Sequence, residues 1–185
     1  PSLRSGRFYD REARGGDDVV RAVVTVDDLI AEGLEGKAEW KARRIAEWGE
    51  AHNAVITRLD LAHDDFTGDE VTVGGALDWY REGRFDQNGR PPKAQHINDL
   101  GSGSGQTLYV GNRKSGKLLR IYEKGKQLGD AASRWTRVEV ELRNKGRVIP
   151  WAALTRPGHY LAGAFPCLAF LSAIQEKIRT IAKAA

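Results

Sequence analysis

The sequence predicts an α+β fold: a twisted, largely antiparallel sheet with helices packed on its apolar face and a polar active-site face left exposed. Three observations predict it. Segments Ala54–Ala62, Lys117–Gly125 and Thr136–Asn144 each alternate apolar with ionisable residues, the two-residue period of a strand with one buried face. The connection Asn112–Gly116 is short and polar, so Gln106–Gly111 and Lys117–Gly125 form a hairpin. Helical patterns flank this strand-rich centre on both sides, which suits helices covering one face of an antiparallel sheet.

The elements follow in order. Residues 1–36 give no clear pattern beyond a loop at Gly15-Gly16-Asp17-Asp18, a short strand over Val19–Val26 and a helix start at Asp27 and Asp28. Lys37–His52 reads as a helix, with Trp40, Arg44 and Trp48 four apart on one face, Ile45 beside them and Asn53 as a stop. The strand Ala54–Ala62 then leads into a turn at Asp64–Gly68. Val71–Glu82 contains a helix ending at Gly83. Phe85–Gly105 holds Asn88-Gly89, Pro91-Pro92 and a Gly-Ser-Gly-Ser-Gly run, so it predicts a long, mobile loop of the kind that carries function. Beyond Pro150 the chain turns helical, breaks at Pro166, and ends in a helix from Cys167 to Ala184. There Cys167, Leu171, Ile174, Ile178 and Ile181 make one apolar stripe.

Length and composition bound the rest. At 185 residues with 41% hydrophobic content the chain is predicted to form a single domain over 1–185 with a real core. No apolar run approaches the roughly 18 residues of a membrane span, and residues 1–14 are too polar for a secretory signal, so the expected location is the cytoplasm. The single cysteine, Cys167, excludes an internal disulfide and a cysteine-based zinc cage. The chain does not begin with Met, so it is expected to be processed or part of something longer. The net charge of +4 is unevenly spread. Residues 112–147 carry 11 basic and 4 acidic side chains, net +7, against 14 basic and 20 acidic, net −6, in residues 1–111. Such a block suits either a polyanion, usually nucleic acid, or a solvated hairpin.

Alternation sorts the chemistry. Leu59, Leu119, Ile121, Val138, Val140 and Leu142 belong to one face; Asp60, Glu139, Glu141, Arg120, Lys124, Arg137 and Tyr122 gather on the other. Carboxylates on neighbouring strands repel unless paired with cations or holding a metal. All-oxygen ligation by Asp60 with Glu139, Glu141 or both suits Mg²⁺ or Mn²⁺. A tyrosine beside such a metal and basic side chains points to attack on a phosphodiester, giving a phosphotyrosine intermediate. Of Tyr9, Tyr80, Tyr109, Tyr122 and Tyr160, only Tyr122 has basic residues, Arg120 and Lys124, two positions away on the same face; Tyr109 could also reach that face. Arg113, Lys114, Lys117 and Lys126 of the hairpin, with Arg137 and Arg143, are the candidate DNA-binding residues, and the segment Lys93–Lys126 is expected to grip the backbone.

Segments TRLDLAHDDFTG (57–68), TLYVGNRKSGKLLRIYEKGKQ (107–127) and TRVEVELRNKGRVIPWAAL (136–154) resemble the replication initiation factor family of rolling-circle plasmids and filamentous phages. The resemblance runs from about Trp40 to Leu171, and RIYEK followed by RVEVELRNK is its most specific part. It implies a nicking enzyme that cuts one strand at the replication origin. The enzyme stays joined to the 5′ end through a tyrosine and frees a 3′-OH that primes DNA replication. Carried over, the tyrosine of RIYEK is Tyr122, and the metal-holding acidic residues are Asp60, Glu139 and Glu141, with the choice between the two glutamates open. The implied partner is origin DNA; a host helicase and a second copy of the chain are further candidates. Residues 1–36 have no counterpart in the resemblance.

Other chemistries fit less well. GNRKSGK (111–117) nearly matches a phosphate-binding loop, but Leu118 stands where Ser or Thr must hold Mg²⁺, and strands flank it on both sides. His52, His63, His96 and His159 form no His-x-His pair, which excludes the metal site of histidine-pair nicking enzymes. His63 and Asp64 either support the site or merely end a strand. A non-catalytic DNA-binding module is the rival from another class, but carboxylates on the binding face would weaken it. A tyrosine recombinase, mostly helical and metal-free, fits a strand-rich centre poorly.

Overall fold

A computed structural model describes residues 35–87 and 89–181. The expected strand at Val19–Val26, the helix start at Asp27 and Asp28, and Tyr9 lie outside the described residues. Within the described residues five strands make one antiparallel sheet: β1 (Arg58–Asp65), β2 (Ala94–Ile97), β3 (Thr107–Asn112), β4 (Lys117–Glu123) and β5 (Thr136–Arg143), in the order β1-β5-β4-β3-β2. Among the described residues five helices accompany them: α1 (Glu35–Ala51), α2 (Val73–Arg81), and the short α3 (Lys124–Gln127), α4 (Ala152–Thr155) and α5 (Pro157–Ala162). This is the α+β architecture expected from alternation. Among the described residues no helix is long and apolar enough to cross a membrane.

The predicted apolar face is the core. Leu59, Leu119, Ile121, Val138, Val140 and Leu142 are all buried, joined by Leu61, Leu108 and Val110 of the same sheet. Each buried aliphatic side chain contributes about 2 kcal/mol of transfer free energy. Val73 and Ala76 of α2, Phe85, Leu161 of α5, Phe165 and Leu168 close the layer. Cys167 is buried here, and burial pushes its thiol up to about 12, so it is a packing residue.

In three places the structure adds to or corrects the expectations. First, α1 forms where expected and buries Ala42, Ala46 and Gly49, while Trp48 is 45% exposed and stacks on His52. Small residues let the helix approach closely: the Trp151 ring lies where a Cβ on Gly49 would be. Second, the expected loop 85–105 contains β2, whose four residues are all exposed. A fully exposed edge strand has no apolar alternation to read, and it is held from one side by β3. The rest of that segment is also tied down. Tyr80 donates to the Pro92 carbonyl at 2.7 Å, and Asp99 accepts from the backbone N–H groups of Gly101, Gly103 and Gly105 at 3.0–3.1 Å. Third, the expected C-terminal helix is absent among the described residues. A 3₁₀ segment spans Pro166–Leu171, and the chain beyond it is irregular, with Ile174 and Ile181 exposed. Its backbone N–H groups are taken by other elements: Glu176 donates to His159 O at 2.9 Å and Ile181 to Gly146 O at 2.7 Å. Tertiary hydrogen bonds here outweigh a local helical pattern, which in a short segment is marginal by itself.

The exit from β1 is fixed by one carboxylate. Asp65 Oδ1 accepts from Thr67 N, Thr67 Oγ1 and Gly68 N, and Oδ2 from Glu70 N and Val71 N, at 2.8–3.1 Å. This knot turns the chain into Thr72, which caps α2 by accepting from Gly75 N at 3.0 Å. Burial alone would raise the Asp65 pKa; the donors of Val71, Glu70, Thr67 and Gly68 outweigh it and pull it from 3.8 down to about 2. A depressed carboxylate pKa stabilises the fold above the unfolded value, and that contribution disappears as pH falls through the folded one. Asp65→Asn is expected to cost about 2 kcal/mol at neutral pH, with the gap to the parent protein narrowing between about pH 4 and pH 2. Denaturant melts across that range test it; a gap that does not change with pH would contradict it.

Candidate active site on the polar sheet face

Antiparallel partners share a face, so the register lists the site row by row. Asp60 lies opposite Glu141, and Glu141 opposite Leu118. Ala62, Glu139, Arg120 and Tyr109 form the next row. Asp64, Arg137, Tyr122 and Thr107 form the third. Tyr122, Arg120, Arg137, Asp60, Glu139 and Glu141 therefore share the face that alternation assigned to them, and Tyr109 shares it too.

Every carboxylate on this face is met by guanidinium. Arg58 reaches Asp60 with two nitrogens, at 3.0 and 2.5 Å. Glu141, 1% exposed, accepts from Arg143 Nε at 2.7 Å and Arg113 Nε at 3.0 Å, with Arg58 at 3.5 Å. Burial would raise its pKa, but Arg143, Arg113 and Arg58 hold it below the ordinary value. Glu139 pairs with Arg120 and also accepts from the Tyr122 hydroxyl at 3.2 Å. Asp64 binds Arg137 through two bonds, at 2.8 and 2.7 Å, and accepts from Trp135 Nε1 at 2.5 Å.

Tyr122 is almost fully enclosed, with 9% of its surface exposed. Burial pushes its phenol above the ordinary value, while the charges of Arg137 and Arg120 pull the other way. The net result is a protonated phenol whose hydroxyl points at a carboxylate. Arg120 Nε is buried with no hydrogen-bond partner among the described residues.

Other expected residues sit differently. Strand β4 ends at Glu123, so Lys124 is the first residue of α3 rather than a strand residue; its Nζ lies 5.8 Å from the centre of the Tyr122 ring. Lys117 faces the helix-covered side, opposite Leu142. Its Nζ donates to Ala164 O at 2.8 Å and Gln87 Oε1 at 2.9 Å, over the Phe165 ring. Burial, then the charges of Arg147 and Lys177, lower this amine to about 8. Counting from Leu119 and Ile121 puts Lys117 on their side, so alternation already carried that signal. Lys114 is exposed, and Lys126 pairs with Glu123 at 2.8 Å. Asp64 belongs to the site, as continuing the alternation Asp60, Ala62, Asp64 requires; His63 faces away and meets Glu70 at 3.1 Å. Arg58, which alternation puts on the same face as Asp60, is a further member to which sequence reading gave no role. Beside these residues a cleft of about 610 Å³ runs along the β2–β3 edge, lined by Lys93, Gln95, Tyr109, Arg113 and Lys114 among others.

Among the described residues no three His, Cys, Asp or Glu side chains converge as a metal cage. The donor chemistry nonetheless suits a hard divalent cation. Asp60 and Glu141 are direct cross-strand neighbours, and one or two carboxylates are what Mg²⁺ takes from a protein. The guanidinium groups of Arg58, Arg113 and Arg143 compete for those same oxygens.

Residues 54–185 match the family model described as replication initiation factor. Among solved structures, a rolling circle replication initiator protein from Geobacillus stearothermophilus is similar, at 28% identity with a TM-score of 0.43, covering 59% of this chain. The chain spans 42% of that protein's length. No curated protein matches.

The enclosure of Tyr122 has an optical consequence. In an ultraviolet titration, the phenolate missing from Tyr122→Phe is expected to appear above the ordinary value of 10.0. Ionisation of that group at or below 10.0 would contradict the burial described above.

Proposed function

Because the chain belongs to the replication initiation factor family, we propose that it is the catalytic part of a rolling-circle initiator that nicks one strand of origin DNA with Tyr122 as the nucleophile. The observation that carries this reading is the hydrogen bond from the Tyr122 hydroxyl to Glu139 between two flanking arginines, Arg120 and Arg137. A neutral phenol is a poor nucleophile, and it needs a base at the moment of attack. Glu139 is that base: it accepts the phenolic proton as the oxygen attacks phosphorus. The bond from phosphorus to the 3′ oxygen breaks, and this oxygen takes up a proton to become the free 3′-OH. The 5′ phosphate remains esterified to Tyr122. Arg120 and Arg137 balance the charge that grows on the phosphoryl oxygens.

Assigning Glu139 to the proton leaves Asp60 and Glu141, the cross-strand pair, as the residues that would hold Mg²⁺ or Mn²⁺. Such a cation, when bound, supplies Lewis-acid polarisation of the phosphodiester. Lys124 adds positive charge beside the Tyr122 ring. DNA would enter along the cleft at the β2–β3 edge, where Lys93, Arg113 and Lys114 offer contacts to phosphate.

Nicking of supercoiled origin plasmid, with a denaturation-resistant protein–DNA adduct as the second readout, tests the reading. Tyr122→Phe should abolish both and keep DNA affinity, while Tyr109→Phe stays active. Glu139→Gln should slow the nick by about 10²–10⁴-fold. Chelator should stop it, and Mg²⁺ or Mn²⁺ restore it. An adduct formed by Tyr122→Phe would overturn the assignment. A separate measurement concerns the grip. Lys114→Gln should flatten the salt dependence of binding by about one counterion, whereas Lys117→Gln, whose amine is bound to Ala164 O, should leave the slope unchanged. Equal slopes for Lys114→Gln and the parent protein would move the binding surface elsewhere.

A further inference from the structure

An aromatic pair stands at the end of the sheet that carries Tyr122. Phe66 follows the last residue of β1, and Trp135 precedes the first residue of β5. Their rings lie 4.9 Å apart at 37°, and Phe66 is 62% exposed. An exposed phenylalanine propped against a tryptophan gains little for the core, yet the tryptophan behind it is held firmly. The Gly125 N–H donates to Trp135 O at 3.3 Å, and Ser133 Oγ accepts from Trp135 N at 3.2 Å. The indole N–H donates to Asp64, and Asp64 clamps Arg137, the cross-strand partner of Tyr122. One continuous chain of hydrogen bonds thus links the aromatic pair to the residue beside the nucleophile.

Two guanidinium groups stand beside the pair, each facing a carboxylate. Arg137 Cζ lies 5.8 Å from the Trp135 ring centre, and the Arg134 side chain, 66% exposed, is held by a surface pair with Asp69 at 2.8 Å. Surface pairs of this kind are weak, so Arg134 can exchange Asp69 for a phosphate at little cost. An exposed ring on a rigid mount, rimmed by guanidinium groups, is the chemistry that binds single-stranded nucleic acid: bases stack on the ring while cations follow the backbone.

We propose that Phe66, backed by Trp135, is a stacking platform for one unpaired nucleobase next to the scissile phosphate. The platform rests on the reading of Tyr122 as the nucleophile, and it adds a demand that reading does not make: the DNA must be unpaired at this position. Stacking accepts any base, so the platform fixes the position of the strand rather than its sequence.

The test is equilibrium binding of a labelled single-stranded oligodeoxynucleotide of about a dozen nucleotides, and of a set in which a single abasic site is moved along it. Phe66→Ala is expected to bind about tenfold more weakly, with Phe66→Tyr close to the parent protein and thermal melting unchanged in both. At one position an abasic site should cost the parent protein the same factor and cost Phe66→Ala nothing. If Phe66→Ala binds as tightly as the parent protein, or is equally sensitive to every abasic site, the platform is refuted. The same holds if the parent protein does not bind the oligonucleotide, or if Phe66→Ala alters only self-association. Binding does not require cleavage, so the outcome is separable from that of Tyr122→Phe: a platform without a Tyr122 adduct would refute the nucleophile alone, and an adduct without abasic coupling would refute the platform alone.

Discussion

The register between β4 and β5 is the constraint on which the rest depends. It sets Tyr122 opposite Arg137 and Arg120 opposite Glu139, and the same pairing sets Ile121 opposite Val138 and Leu119 opposite Val140. A slip of one residue would turn the ionisable side chains into the core and the aliphatic ones out of it. Four apolar residues buried to 0% exposure therefore hold the position of the hydroxyl, the carboxylate and the guanidinium groups above them. The site costs the fold little because it uses the face the core does not need.

Charge balance is the second constraint. Asp60, Asp64, Glu139 and Glu141 crowd three rows of one sheet face, and their mutual repulsion is offset by Arg58, Arg113, Arg120, Arg137 and Arg143. Removing water from such a face would be expensive if any of these charges stood alone. Their ties are also what keeps each side chain in one orientation. Arginine suits this role because its planar fork meets a carboxylate through two bonds, as Arg58 does with Asp60 and Arg137 with Asp64.

Two aspartates outside the site do comparable work on the backbone. Asp65 gathers five donors and turns β1 into α2; Asp99 gathers the N–H groups of three glycines, all at positive φ, and orders the approach to β3. The glycine-rich segment looks like slack chain, yet its glycines are there because an N–H cradle around one carboxylate needs φ values that other residues avoid. Both loops lie at the end of the sheet that holds Tyr122, and so does the Phe66–Trp135 pair. The face and the end of the sheet are thus built by different means, the first by alternation and the second by side-chain capping of loops.

The sequence by itself determined the fold class, the three alternating strands, the six core aliphatics, and the face on which Tyr122, Arg120, Arg137, Asp60, Glu139 and Glu141 meet. It could do so because a period of two is a local property, and burying one face obliges the chain to keep it. Even Lys117 and Asp64 were within reach of that rule, since each follows from continuing the count along its strand. Only the tertiary structure decided the rest. Strand β2 exists because β3 offers it a free edge, not because its own residues ask for a strand. The stripe from Cys167 to Ile181 reads as a helix, yet the carbonyls of His159 and Gly146 take its N–H groups for themselves. Which guanidinium meets which carboxylate, and that the Tyr122 hydroxyl finds Glu139, depend on side chains brought together from β1, β4, β5 and the 3₁₀ turn at Arg113–Ser115. Local sequence sets the direction in which a side chain points; what it meets there is set by contacts between residues far apart in the chain.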